Sequence, residues 1–175
     1  MEIDDLKPGV LDRLYVDLAR HLMQITRHKV PVFKFIDLWN NQWQHMAEEK
    51  VLRFPCVLIE FGDLEWQQLG SKRQQAALSL SLHIGSKSTY TTAWKEGYNA
   101  AALEHLQLLG AVHRHMKGFR ADYAGSFTRV GTQVDQDHDH LIAHVESYRA
   151  VVRDDSAAPV TERRKVPVEV TAEYL

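Results

Sequence analysis

The densest chemistry-bearing stretch of the chain is residues 135–146, where Asp135, Asp137, His138, Asp139, His140, His144 and Glu146 crowd together. Three carboxylates at alternate positions, with a glutamate eleven residues after the first, imitate the ligand order of a helix-loop-helix calcium site. Two features break the imitation. His140 stands where such a loop needs glycine for its sharp turn, and both flanks have strand rather than helix character. Zinc fares no better: His138, His140 and His144 fit no tight ligand spacing, and a polar hairpin tip explains them. A second candidate is the polar face formed by Ser79, Ser81 and His83. A serine and a histidine two residues apart on a strand are separated by about 7 Å. No nucleophile elbow, acidic partner or glycine-rich oxyanion loop accompanies them.

The remaining titratable residues have bland readings. His105 falls on an apolar helical stripe, which suits a core or interface histidine with a satisfied hydrogen bond. His113 and His115 point to different helix faces and are expected at the surface. Glu60 and Glu65 have a spacing that does not force them together. There is no phosphate-binding glycine loop, dinucleotide fingerprint or pair of cysteine motifs. The residues therefore argue against an enzyme and call for no cofactor. A small metal-dependent hydrolase built on the cluster at 135–144 is the alternative from that class.

Composition narrows the field further. With 175 residues and 45% hydrophobic content, the chain can bury one sizeable core. A formal charge of -2 leaves no global basic field for nucleic acid. The one cysteine, Cys56, sits inside an apolar run and is expected to be a buried thiol with no intramolecular disulfide. An acidic amino terminus without an apolar core segment, and no run of roughly 20 apolar residues, lead to the expectation of a soluble intracellular product.

These side chains need elements to hold them. Leu11, Leu14, Tyr15, Leu18, Leu22 and Ile25 recur at helical spacing after Pro8 and Gly9, predicting an amphipathic helix that ends before Pro31. Phe33 and Phe35 suggest a short extended piece, and Trp39, Trp43 and Met46 a brief helix or ordered loop. The apolar run at 54–61 predicts a strand closed by Gly62 and Asp63, with Glu65 and Trp66 in a reversal or small intervening strand. Ala76, Leu78, Leu80, Leu82 and Ile84 alternate with Ala77, Ser79, Ser81 and His83. That period places one face in a core and leaves a narrow, uncharged face outward. Trp94, Tyr98, Ala102, His105, Leu109, Val112 and Met116 mark a second helix stopped by Gly118, and residues 127–134 and 141–152 predict two more strands. The fold class is α+β: an antiparallel sheet of about four strands with two helices packed on one face. Residues 1–152 form that domain, and residues 153–175 an extended arm. Within the arm, Val166, Val168 and Val170 alternate with Pro167 and Glu169, the pattern of a strand able to add to an exposed sheet edge. Arg163, Arg164 and Lys165 form a short basic cluster suited to an acidic groove on a partner.

The succession of the first helix, FIDLWNNQW (35–43), FPCVLIEFGDLEW (54–66), LSLSLHIG (78–85) and the terminal helix and hairpin resembles a family of tailed-phage and prophage tail terminator, or tail-completion, proteins. The resemblance covers roughly residues 10–152. It implies a virion structural protein, assembled in the host bacterial cytoplasm, that forms a hexameric ring on the end of the tail tube. Such a ring stops tube polymerisation and presents a surface to the neck or head-completion protein, and DNA passes through its lumen without sequence-specific contacts. A head-completion or neck connector protein is the related alternative. On this reading Ser79, Ser81 and His83, together with Val166, Val168 and Val170, are the candidate interface residues, with no catalytic residue or metal ligand.

Overall fold

The computed structural model describes residues 7–45, 52–87, 100–135 and 141–158. The chain is α+β, with two helices and a mostly antiparallel sheet. Helix α1 (Val10–Leu22) begins where the Asp12 carboxylate accepts a hydrogen bond from the Gly9 N–H at 2.9 Å, satisfying one otherwise orphaned donor. Its residues Val10, Leu14, Leu18 and Leu22 repeat every four positions, so all four fall on the buried face. The helix stops at Leu22, earlier than its apolar spacing suggests. A two-stranded ribbon, β1 (Thr26–Arg27) and β2 (Val30–Pro31), follows, its reversal formed by His28 and Lys29 at positive φ.

The main sheet has five strands in the order β3-β4-β5-β7-β6, with β3 (Phe35–Leu38) parallel to β4 and every other pairing antiparallel. The short extended piece expected around Phe35 is β3, and its joining the sheet makes five strands where about four were expected. Strands β4 (Cys56–Gly70) and β5 (Arg73–Lys87) form a long hairpin turned by Ser71 and Lys72, both at positive φ. Gly62 and Asp63 do not close β4 as expected, and Glu65 and Trp66 belong to β4 itself. They lie at and just beyond a register shift between Phe61 and Leu64, so the strand bends and continues. A side chain at 62 would be crowded: a Cβ there would stand 3.1 Å from Ser79 Cβ and 3.3 Å from its carbonyl oxygen. Gly62→Val is therefore expected to cost about 1–3 kcal/mol by overpacking, measured as a lowered denaturant midpoint. Residues 65–74 are exposed on both faces, so the hairpin end projects beyond the layer of helices.

Helix α2 (Ala100–Gly118) connects β5 to the pair β6 (Thr128–Asp135) and β7 (Leu141–Asp154). Leu108, Leu109, Val112 and Met116 pack with the α1 stripe against Leu78, Leu80, Leu82, Ile84, Tyr148, Ala150 and Val152. The alternation in β5 thus translates directly into burial, since Ala76, Leu78, Leu80, Leu82 and Ile84 are all buried. Strand β7 runs two residues past the expected domain boundary. Beyond it Asp155 is held by Lys7 at 3.4 Å and Arg13 at 3.2 Å, at the amino-terminal end of α1. Among the described residues, no helix is long and apolar enough to cross a membrane.

Candidate functional site

The sheet's second face, opposite the helices, divides into two parts. At one end the 35–43 segment folds over it, and Trp43, Cys56, Leu58, Leu141 and Ala143 form a small separate core with Phe35, Trp39 and Phe54 against it. Cys56 is buried there, and desolvation pushes its thiol up to about 11, which leaves it protonated and unreactive at neutral pH. Gly85 on β5 allows this close packing, because a Cβ would stand 3.1 Å from the Trp43 ring and 3.2 Å from Cys56 Sγ. His83 faces the same cluster. Its ring stacks on Trp39 with centroids 4.0 Å apart and an interplanar angle of 6°, and its Nε2 lies 2.7 Å from Glu60 Oε2. His83 is 8% exposed, so the chain's own tryptophans already cover it.

Farther along, the face is open and its side chains are small. Pairing places Ser81 between Glu60 and Ser147, with Gly131 beyond Ser147, and places Ser79 beside Arg149 with Gly62 close by. Ser79 is exposed, and Ser81, Ser147 and Gly131 are half-buried. Of the six candidate interface residues, Ser79 and Ser81 thus share an accessible patch with His83 beneath the adjoining aromatic cover. Val166, Val168 and Val170 lie outside the described residues. Glu60 is bonded to His83, while Glu65 sits past the bulge opposite Ala77, so the two carboxylates serve separate positions.

The helix-side face carries a buried polar cluster that spacing alone did not foretell. Glu146 is 1% exposed and accepts hydrogen bonds from Arg129 Nη1 at 3.2 and 3.4 Å, from Thr132 Oγ1 at 2.9 Å and from Tyr148 Oη at 3.5 Å. Burial, with the Glu146 charge beside it, raises the Tyr148 phenol, so it remains a donor. Next to this network His105 Nδ1 stands 2.9 Å from Ser86 Oγ, and His105 Nε2 stands 2.9 Å from His144 Nδ1. One imidazole donates and the other accepts, which ties α2 to β5 and β7. Desolvation, and secondarily the neighbouring His144, lowers His105 to about 4. A base that weak binds a proton poorly at neutral pH, so the Ser86 contact is suited to holding structure rather than to activating a nucleophile. The expectation of a satisfied core histidine at 105 holds. His113 and His115, expected at the surface, are instead half-buried: His113 stacks near Tyr148 at 6.4 Å, and the His115 carbonyl accepts a 2.8 Å hydrogen bond from His21 Nε2.

The run at 135–144 is split by the sheet. Asp135 pairs with Ala143 and Val134 with His144, so the Asp135 and His144 side chains leave on opposite faces, while residues 136–140 lie outside the described residues. Among the described residues no three His, Cys, Asp or Glu side chains are placed to hold one metal ion. A cleft of about 650 Å³ lies between the β1–β2 ribbon and α2, with Ile25, Val32, Phe54 and Leu108 in its walls and the Arg27–Glu104 ion pair beside it. The chain matches no protein-family model and no curated protein.

Proposed function

We propose that the chain is a structural subunit that forms a ring by side-to-side packing and, as a tail terminator, caps a phage tail tube and joins it to the neck. The observation that carries the packing is the open half of the second sheet face, where Ser79, Ser81, Ser147, Gly131 and Gly62 form a patch of small side chains between Glu60, which is held by His83, and Arg149. Small side chains let another backbone approach closely, and a closed ring needs one such patch to meet a different surface on the next copy. The projecting hairpin at 65–74, with Trp66 and Leu69 exposed, supplies a second surface of a different shape. The tail-terminator assignment itself draws on the resemblance in residues 10–152. In that role the ring meets the tube protein on one side and the neck or head-completion protein on the other. DNA crosses the lumen without base contacts. The activity is steric: the ring matches the last tube ring and offers no equivalent surface for another.

Replacing Ser79 and Ser81 together with Arg tests this directly. Both side chains point away from the core, so the variant is expected to keep its circular dichroism and denaturant midpoint while its mass by light scattering falls to that of one chain. An unchanged oligomer mass would sink the packing. Co-purification with tail tube protein supports the terminator, and co-purification with portal protein alone moves the ring to the head-completion position.

A further inference from the structure

Strands β4 and β5 carry unlike apolar features at their two ends. At the hairpin end Trp66 and Leu69 are 38% and 51% exposed. Trp66 stands opposite the buried Ala76, so it lies on the sheet face that the helices cover, in the stretch that projects beyond them. Exposed large apolar groups on a projecting element mark a contact surface, and tryptophan is the side chain most often found as the anchor of one.

At the opposite end lies the cleft of about 650 Å³ between the β1–β2 ribbon and α2. Ser86, which shares its face of β5 with Ala76, belongs to the lining, and Ile25, Val32, Phe54 and Leu108 supply apolar walls. Val30 and Gln107 are exposed at its sides. The volume is in the range of clefts that enclose a ligand-sized group. Hairpin and cleft thus occupy one layer of the molecule, yet Ala76 and Ser86 are separated along β5 by about 33 Å. A chain cannot seat its own hairpin in its own cleft. A second copy displaced along the strand direction brings the two together in the same layer, and the contact joins unlike surfaces, as a ring requires.

Charge on the other face agrees with this displacement. Glu65 pairs with Ala77 and Lys87 with Leu141, so both fall on the second sheet face, Glu65 next to Trp66 and Lys87 at the border of the cleft. Both are exposed, and neither makes an ion pair among the described residues. The shift that seats Trp66 brings these opposite charges toward each other. We propose that the β4–β5 hairpin of one copy docks in the cleft between the β1–β2 ribbon and α2 of the next, with Trp66 and Leu69 against its apolar walls and Glu65 facing Lys87. The inference rests on the ring reading and names the place that the projecting hairpin occupies.

Two variants altered only at exposed side chains test the docking: Trp66→Arg/Leu69→Arg at the hairpin and Val30→Arg/Gln107→Arg at the cleft. Each alone is expected to keep the wild-type circular dichroism and to show the mass of one chain by light scattering. An equimolar mixture holds one intact hairpin and one intact cleft per pair, so it should reach the mass of two chains and stop there. A mixture that stays at one chain overturns the docking. So does a cleft variant that keeps the wild-type oligomer, the result expected where the chain itself fills the cleft. Independently of the apolar changes, Glu65→Lys and Lys87→Glu should each raise the concentration of half-assembly by roughly two- to fivefold, and the double variant should restore it. A double variant no better than the singles overturns the facing of the two charges and with it the inference. An oligomer that withstands the hairpin and cleft variants but dissociates with Ser79→Arg/Ser81→Arg rejects the docking alone, and a wild-type chain that stays monomeric rejects the ring as well.

Discussion

Lowering the pH from about 7.5 to about 4 is expected to remove about 3 kcal/mol of folding stability through His105 alone. The sign follows from proton counts. In the unfolded chain His105 takes a proton near its ordinary value of 6.5, whereas in the folded chain it resists protonation down to about 4. Between these values the unfolded state binds more protons, so stability is fully present above about 6.5 and drains as the pH falls. His105 is only 2% exposed, which justifies assigning it the full desolvation effect. His144, His113 and His115 are also lowered, each mainly by burial, and steepen the same limb. Urea midpoints at fixed protein concentration across this range give the slope directly. His105→Gln, which retains a donor and an acceptor for Ser86 and His144, should flatten it. An unchanged slope in that variant would remove His105 as the cause.

Arg129→Met is expected to cost about 3 kcal/mol, more than the reciprocal Glu146→Gln. The two partners are buried unequally: Arg129 keeps 37% of its side-chain surface and can be solvated alone, while Glu146 keeps 1% and cannot. Taking away the cation leaves a buried carboxylate with Thr132 and Tyr148 as its hydrogen-bond donors. The double variant Arg129→Met/Glu146→Leu should regain about half of the loss, because the uncompensated charge goes with its partner. Thermal or urea unfolding of the three proteins measures the ordering. A single Arg129 variant as stable as wild type would show that the ion pair contributes nothing.

Sequence periodicity is informative where one face of an element is buried along its whole length. Strand β5 and helix α1 meet that condition, and their apolar positions map onto the core with Ala76 through Ile84 and Val10 through Leu22 inside. The projecting half of β4 does not, because residues 65–70 have no buried face to impose a period, and Gly62–Asp63 looked like a terminator when it is a bend. Parallel pairing of β3 with β4 depends on a contact between segments with no local signature. The polar clusters were only half legible. Glu146 shares its parity with Tyr148, Ala150 and Val152, which marks it as facing inward, yet Arg129 arrives from another strand and His105 from a helix. Trp39 over His83 is likewise a tertiary event, and it reassigns part of a face that looked wholly outward to an internal contact.

The strand order has a consequence for how the chain is made. Strand β5 sits in the middle of the sheet between β4 and β7, but β7 begins at Leu141, more than fifty residues after β5 ends at Lys87. During synthesis the β4–β5 hairpin can close as soon as it leaves the ribosome, while the other edge of β5 must wait for α2, β6 and finally β7. In that interval the Leu-Ser-Leu-Ser-Leu run is an unpaired, uncharged edge with alternate apolar residues. Truncated products ending before Leu141 would carry that edge permanently, so the nascent chain is most exposed to aggregation in the very strand that later anchors the finished sheet.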